Sequence, residues 1–191
     1  MIQARATFMQ ELLRIPMHRL VFLDETGSHI SMMRTHGRAP RGVRVIDHVP
    51  RNRGVVTTVL GALSLRGLTA LMAVQGGTSK DVFLSFIEDH LAPTLHVGDV
   101  VVMDNLGAHH ATGVREAIEA VGASVLYMPA YSPDLNPIEL CWSKFKELLR
   151  TFGARTVKDL YDTLAIAADF ITPGDALGWF RHCLATNTQP A

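Results

Sequence analysis

The sequence predicts an α/β domain, a sheet with helices packed against it. Three observations carry that expectation. Residues 20–23 and 100–103 are unbroken apolar runs of the kind found in strands buried on both faces. From Pro137 onward, Ile138, Trp142, Phe145, Leu149 and Phe152 recur at helical spacing, so a long helix buries one face. Between these landmarks the chain reads as strands, helix, strand, helix, strand, helix, the order of an α/β sheet.

Each element has a local reason. Phe8, Leu12 and Leu13 mark a short amphipathic helix or linker within residues 1–17. The main domain is expected over residues 18–172, with a C-terminal helix and tail over 173–191. After the first strand, residues 30–34, 55–65 and 68–75 read as extended. Residues 79–91 carry Val82, Phe83, Phe86, Ile87 and Leu91 at helical spacing behind a Ser79 cap. A strand at 100–103, a helix at about 112–121 stopped by Gly122, and a strand at 124–128 follow. Asn136 is a good N-cap, Pro137 suits the first helical position, and Glu139 falls at the third. Residues 156–171 form a further helix with Leu160, Leu164, Ala167 and Ala168 inward.

Composition narrows the class. The chain has 191 residues, of which 48% are hydrophobic, enough for one domain with a substantial core. It holds no apolar run of about eighteen residues, so no membrane span is expected. The N-terminus lacks a secretory pattern, and two cysteines, Cys141 and Cys183, are too few for a disulfide framework or zinc site. A cytoplasmic protein with reduced thiols is expected. Net charge is zero, yet Arg34, Arg38, Arg41, Arg44, Arg51 and Arg53 fall in one loop-like segment opposed only by Asp47. Such a loop is either a solvated hairpin or a phosphate-holding surface.

Three acidic residues stand in positions that invite chemistry. Asp24 follows the first apolar strand, Asp104 the second, and Glu139 opens the long helix. Ligands of open α/β sheets gather beyond such strand ends. Each acid also has an ordinary explanation: Glu139 as half of a capping box, the aspartates as turn formers. Together they could hold two divalent cations. Oxygen ligands suit Mg²⁺ or Mn²⁺, and two ions roughly 3.5–4 Å apart serve phosphodiester chemistry. Glu25, adjacent to Asp24 on a strand, should face the other way.

Phe22-Leu23-Asp24-Glu25-Thr26, Met103-Asp104-Asn105 with His109 following, and Tyr131-Ser132-Pro133-Asp134-Leu135-Asn136-Pro137-Ile138-Glu139 with Trp142 and Lys146 carry a resemblance. The chain resembles the DDE transposases of bacterial insertion sequences related to the mariner group, from about Leu20 to Thr156. The 34 residues between Asp104 and Glu139 match the spacing of that group. The resemblance implies a ribonuclease H-like fold, a mixed β-sheet flanked by helices. It implies Asp24, Asp104 and Glu139 as catalytic metal ligands for two Mg²⁺ ions, with Mn²⁺ as substitute. It also implies cutting of DNA at transposon ends, followed by attack of the freed 3′-hydroxyl on target DNA. Glu25, Asn105, His109 and Asn136 are expected beside the ligands, orienting them, while Asp134 and Glu25 are the rivals for ligand places. With DNA as substrate, Arg34, Arg38, Arg41 and Arg44 become expected phosphate contacts, extended along the helix by Lys146 and Arg150. A homodimer fits paired-end chemistry.

Asp24 follows Met1 by 23 residues, which leaves no room for the helix-turn-helix modules that precede the catalytic domain in this group. The expectation is either a downstream reading frame, joined to an upstream helix-turn-helix module, or a truncated remnant, associated with the bacterial nucleoid when on DNA. A catalytically silent protein that binds DNA or a full-length transposase is the alternative function. A junction-resolving or RNA–DNA-hybrid nuclease of the same fold is the third.

Overall fold

The computed structural model describes residues 2–105, 109 and 112–186. Its centre is one mixed sheet of five strands: β1 (Leu20–Ser28), β2 (Thr57–Ser64), β3 (Gly67–Gln75), β4 (Val100–Met103) and β5 (Ser124–Tyr127). They lie in the order β3-β2-β1-β4-β5. The β1-β2-β3 meander is antiparallel, whereas β1, β4 and β5 run parallel. Phe22 pairs with Val102, so two residues further on Asp24 and Asp104 reach the same level of adjacent strands, whose spacing is about 4.8 Å.

Strand alternation sorts the side chains into two cores. Leu20, Phe22, Val59 and Val102 face one way, against α4 (Pro137–Phe152), α5 (Val157–Asp169) and α6 (Pro173–Thr186). Val21, Leu23, Leu60, Val101 and Met103 face the other way, against α2 (Lys80–Ser85) and α3 (Val114–Ala120). The N-terminal helix α1 (Ile2–Leu12) adds Phe8, Met9 and Leu12 to the first core. Gly61, paired with Asp24 across β1 and β2, lets α4 approach closely: a Cβ there would lie 2.5 Å from Trp142 Cη2. Helix α6 belongs to the same core, with Phe180 edge-on to Phe22 at 5.3 Å. It is tied to α4 by Lys144, whose Nζ donates to Asp175 at 2.6 Å. Burial works against the Asp175 carboxylate, but Lys144 and Thr172 outweigh it and hold the group down to about 2.

Several local expectations need correction. Residues 30–34 form a turn and loop rather than a strand, because β1 has ended at Ser28. The carbonyl of Met32 accepts from Arg155 at 2.9 Å and so finds its partner outside any ladder. The helix behind Ser79, whose side chain does accept from the Val82 N–H, continues as a π-helical segment, Phe86–Leu91. Helix α3 starts at Val114 rather than near Thr112. Phe152 and Leu13 sit at helix ends, where the core no longer covers them, and are 41% and 51% exposed. Among the described residues no helix is long and apolar enough to cross a membrane.

Candidate active site

Asp24, Asp104 and Glu139 line one cavity of about 400 Å³, together with Asn105, Asn136 and the segment from Met128 to Pro133. The aspartates arrive by the strand register, and Glu139 comes from the first turn of α4. Strand β1 does not end at Asp24, contrary to the expectation from its apolar run. It continues to Ser28 beside β2, while β4 stops at Met103. Asp24 therefore sits where β1 loses one neighbour, and the gap left by β4 opens the cavity.

The carboxylates have different surroundings. Asp24 Oδ1 accepts from the Glu25 N–H at 2.7 Å, and its Oδ2 accepts from Asn136 Nδ2 at 3.2 Å. Burial pushes this carboxyl up to about 7; the Glu25 N–H acts against the shift, and the charges of Glu139 and Asp104 add to it. Asp104 turns toward His109, whose Nδ1 lies 2.6 Å from its Oδ1 and 3.0 Å from its carbonyl oxygen. His109 is 1% exposed and stacks on Phe83 at 4.4 Å. Burial disfavours the imidazolium, yet the Asp104 carboxylate prevails and raises the His109 pKa. Glu25 points to the opposite face of the sheet, where it accepts from Thr78 Oγ1 at 2.9 Å.

Asn136 holds the N-cap position of α4 but makes no side-chain cap. Its amide is turned to Asp24 instead. Its backbone N–H donates to the Pro133 carbonyl at 3.0 Å. That N–H is therefore taken, and Glu139 has no capping box to complete. The Glu139 side chain is exposed toward the cavity.

The donor set fits a hard divalent cation. Three carboxylates from separate elements share one cavity, Asp24 is destabilised as an anion by burial and then by the charges of Glu139 and Asp104, and the buried Asn136 Oδ1 beside it has no hydrogen-bond partner. As they stand, no three His, Cys, Asp or Glu side chains among the described residues converge on a single point. Asp104 is engaged by His109 instead.

The wall of the cavity contains features the sequence did not disclose. Tyr131 has φ 56°, the sole positive value at a non-glycine among the described residues, and is 86% exposed. Such a backbone costs a non-glycine residue about 1–2 kcal/mol. Arg5 of α1 reaches this turn, donating from Nη1 to Asp134 Oδ1 at 3.0 Å and to the Tyr131 carbonyl at 3.4 Å. Asp134 is thereby committed to Arg5, which holds its carboxyl below the usual range. No sequence signal points to Arg5; Tyr131 was visible as the first residue of the motif that ends at Glu139.

The basic residues divide. Arg34, Arg38 and Arg150 line a separate cleft of about 680 Å³ with His36 and Arg155, and Asp47 is also in its wall. Arg41, Arg44, Arg51 and Arg53 are exposed on the loop between β1 and β2, and Lys146 is half-buried on α4. Cys141 and Cys183 are free and buried, and burial pushes the Cys141 thiol up to about 12. His110 lies outside the described residues.

Known proteins resemble this arrangement. A family model described as "DDE superfamily endonuclease" matches residues 19–161. Among solved structures, the catalytic domain of Mos1 mariner transposase matches with a TM-score of 0.68 at 15% identity, over 99% of this chain and 92% of that one. The Mos1 transposase paired-end complex with left transposon end gives 0.74 at 18% identity, over 98% of this chain and 61% of that one. The Mos1 mariner paired end complex with Mn gives 0.75 at 18%, over 98% and 62%. The chain thus spans about 61% of the length of the transposase in the first complex. At these identities the likeness establishes the fold, the ribonuclease H-like sheet expected from the sequence. No match exists among curated proteins.

Proposed function

Because this chain belongs to the DDE superfamily endonucleases, we propose that it is the catalytic domain of a transposase, cutting DNA at transposon ends and joining the freed 3′ end to target DNA. The observation that carries the reading is the strand register. It sets Asp24 and Asp104 side by side, with Glu139 from α4 on the same cavity, all within the family-matched segment.

Asp24, Asp104 and Glu139 would hold two Mg²⁺ ions, or Mn²⁺ in their place. When bound, such ions activate the attacking oxygen and stabilise the leaving one. The remaining residues prepare the site. The Glu25 N–H and Asn136 amide fix both oxygens of Asp24 in orientation. His109, wedged against Phe83, sets the position of Asp104 from the far side of the sheet. Glu139 keeps an exposed carboxylate on the side open to substrate.

DNA is the partner this surface suits. Arg34, Arg38 and Arg150 line the cationic cleft, and Arg150 lies eleven residues beyond Glu139 on α4, about 16 Å at 1.5 Å per residue. A strand with its scissile phosphate in the acidic cavity would lay later phosphates there, with Lys146 between and Arg41 and Arg44 on the loop above. Joining two ends calls for two catalytic domains, so a homodimer belongs to the proposal. Recognition of the end sequence falls to a helix-turn-helix module, and an insertion sequence acting in the bacterial cytoplasm is the setting.

The test is nicking of supercoiled plasmid by the purified chain with Mn²⁺, beside Asp104→Asn. Cutting by the wild type alone supports the reading. Metal-dependent cutting that survives in Asp104→Asn removes Asp104 from the catalytic set. No cutting by either protein refutes an autonomous nuclease and favours a silent role in binding DNA or an intact transposase, or a core that depends on a helix-turn-helix module, and fusing such a module separates the two.

A further inference from the structure

We propose that Tyr131 is a stacking platform for an unpaired nucleobase beside the scissile phosphate; this rests on the DNA-cleavage reading above. Tyr131 lines the cavity that holds Asp24, Asp104 and Glu139. Ser132 and Leu135 anchor the turn, buried to 5% and 1% exposure, while Ala130, Pro133 and Asp134 are exposed and Tyr131, at 86%, is its one exposed aromatic ring. The ring contributes nothing to the core, and no side-chain hydrogen bond holds it among the described residues. Its backbone occupies a left-handed conformation that glycine or asparagine would adopt more readily. An aromatic residue that neither packs nor suits its backbone is there for what it presents to the cavity.

The platform is braced from outside. Arg5 binds both the Tyr131 carbonyl and the Asp134 carboxylate, so α1 holds the two sides of the turn that projects the ring. A ring so placed on the rim of a phosphodiester site offers a face to a base. Every base has a π-face, so such stacking tolerates sequence differences. The base must be unpaired, because a ring cannot stack on a base enclosed on both sides within a duplex. The substrate predicted here is therefore DNA whose strand is opened next to the cut, either as a tail or as a base turned out of the helix.

The experiment uses a duplex with a short single-stranded tail carrying 2-aminopurine, bound in Ca²⁺ rather than Mg²⁺, beside a fully paired duplex. Wild type should quench the 2-aminopurine and bind the tailed DNA more tightly than the paired duplex. Tyr131→Gly should lose the quench and bind the tailed DNA roughly tenfold more weakly, with binding of the paired duplex unchanged. Tyr131→Trp should restore both properties. Glycine accepts the left-handed backbone, so the variant should unfold at the same temperature as wild type or higher. The proposal is overturned if Tyr131→Gly quenches and binds tailed DNA like wild type while the wild type nicks plasmid. If the wild type neither nicks plasmid nor binds either DNA, the DNA-cleavage reading fails, and the platform with it.

Discussion

Replacing Asp24 by an asparagine probes the electrostatics of the cavity. In the metal-free protein, burial lifts the Asp24 carboxyl to about 7, with Glu139 and Asp104 adding to the effect and the Glu25 N–H opposing it. In the unfolded chain an aspartate titrates near 3.9. Between those values the native state keeps a proton that the unfolded state has lost, so stability falls as pH rises. The slope is at most about 1.4 kcal/mol per pH unit. The contribution is whole below about pH 4 and lost once the pH has passed the folded value near 7. From about pH 5 to pH 8 the loss is about 2–3 kcal/mol, a large share of the roughly 5–15 kcal/mol that a domain possesses.

His109 acts in the same direction. Its folded pKa is raised, so its contribution is present below about 6.5 and lost as the pH climbs through the folded value. The substituted amide cannot ionise, so Asp24→Asn keeps only the part that begins above about 6.5. Urea unfolding in EDTA at several pH values measures this. At about pH 5 the variant should fall short of wild type by roughly 1 kcal/mol, for one acceptor lost among two donors. By about pH 8 it should be the more stable protein. Mg²⁺ or Mn²⁺ should restore wild-type stability at high pH, because binding to the native state adds to it, and should do little for the variant. A wild type whose stability is flat from about pH 5 to 8, or a variant with the same slope, refutes the reasoning.

Two further perturbations test how the site is held. Gly61→Ala places a Cβ 2.5 Å from Trp142 Cη2 and should cost about 1–3 kcal/mol in urea unfolding. Nicking should fall with it, since α4 carries Glu139; full stability would show that Trp142 has room to yield. Arg5→Ala breaks a pair whose side chains are 30% and 50% exposed, so stability should change by about 0–1 kcal/mol. Nicking should decline more than stability does, and the exchange Arg5→Asp with Asp134→Arg should recover it. Failure of that exchange, with both variants folded, would detach Arg5 from the site.

The three acids were readable because each sits in a local pattern. Apolar runs ahead of Asp24 and Asp104 mark strands buried on both faces, and Asn136-Pro137 marks a helix start. Alternation correctly sent Glu25 to the face opposite Asp24, since side chains along a strand change sides at every residue. The same local logic put Asn136 at the cap position, which it holds, but it is the resemblance and not the capping pattern that expected its amide beside Asp24. Local logic misjudged residues 30–34, whose backbone is served by Arg155 from more than a hundred residues away.

By itself the sequence determined the identity of the strands and helices near the site, the facing of the acids, and the family to which the chain belongs. Periodicity and capping are interactions between residues a few positions apart, so they are written along the chain. Tertiary structure alone decided that β4 stops short of β1 and opens the cavity, and that Arg5 braces the turn bearing Tyr131. Arg5 and Asp134 stand 129 positions apart. Contacts of that kind depend on how whole elements pack, and no local pattern encodes them.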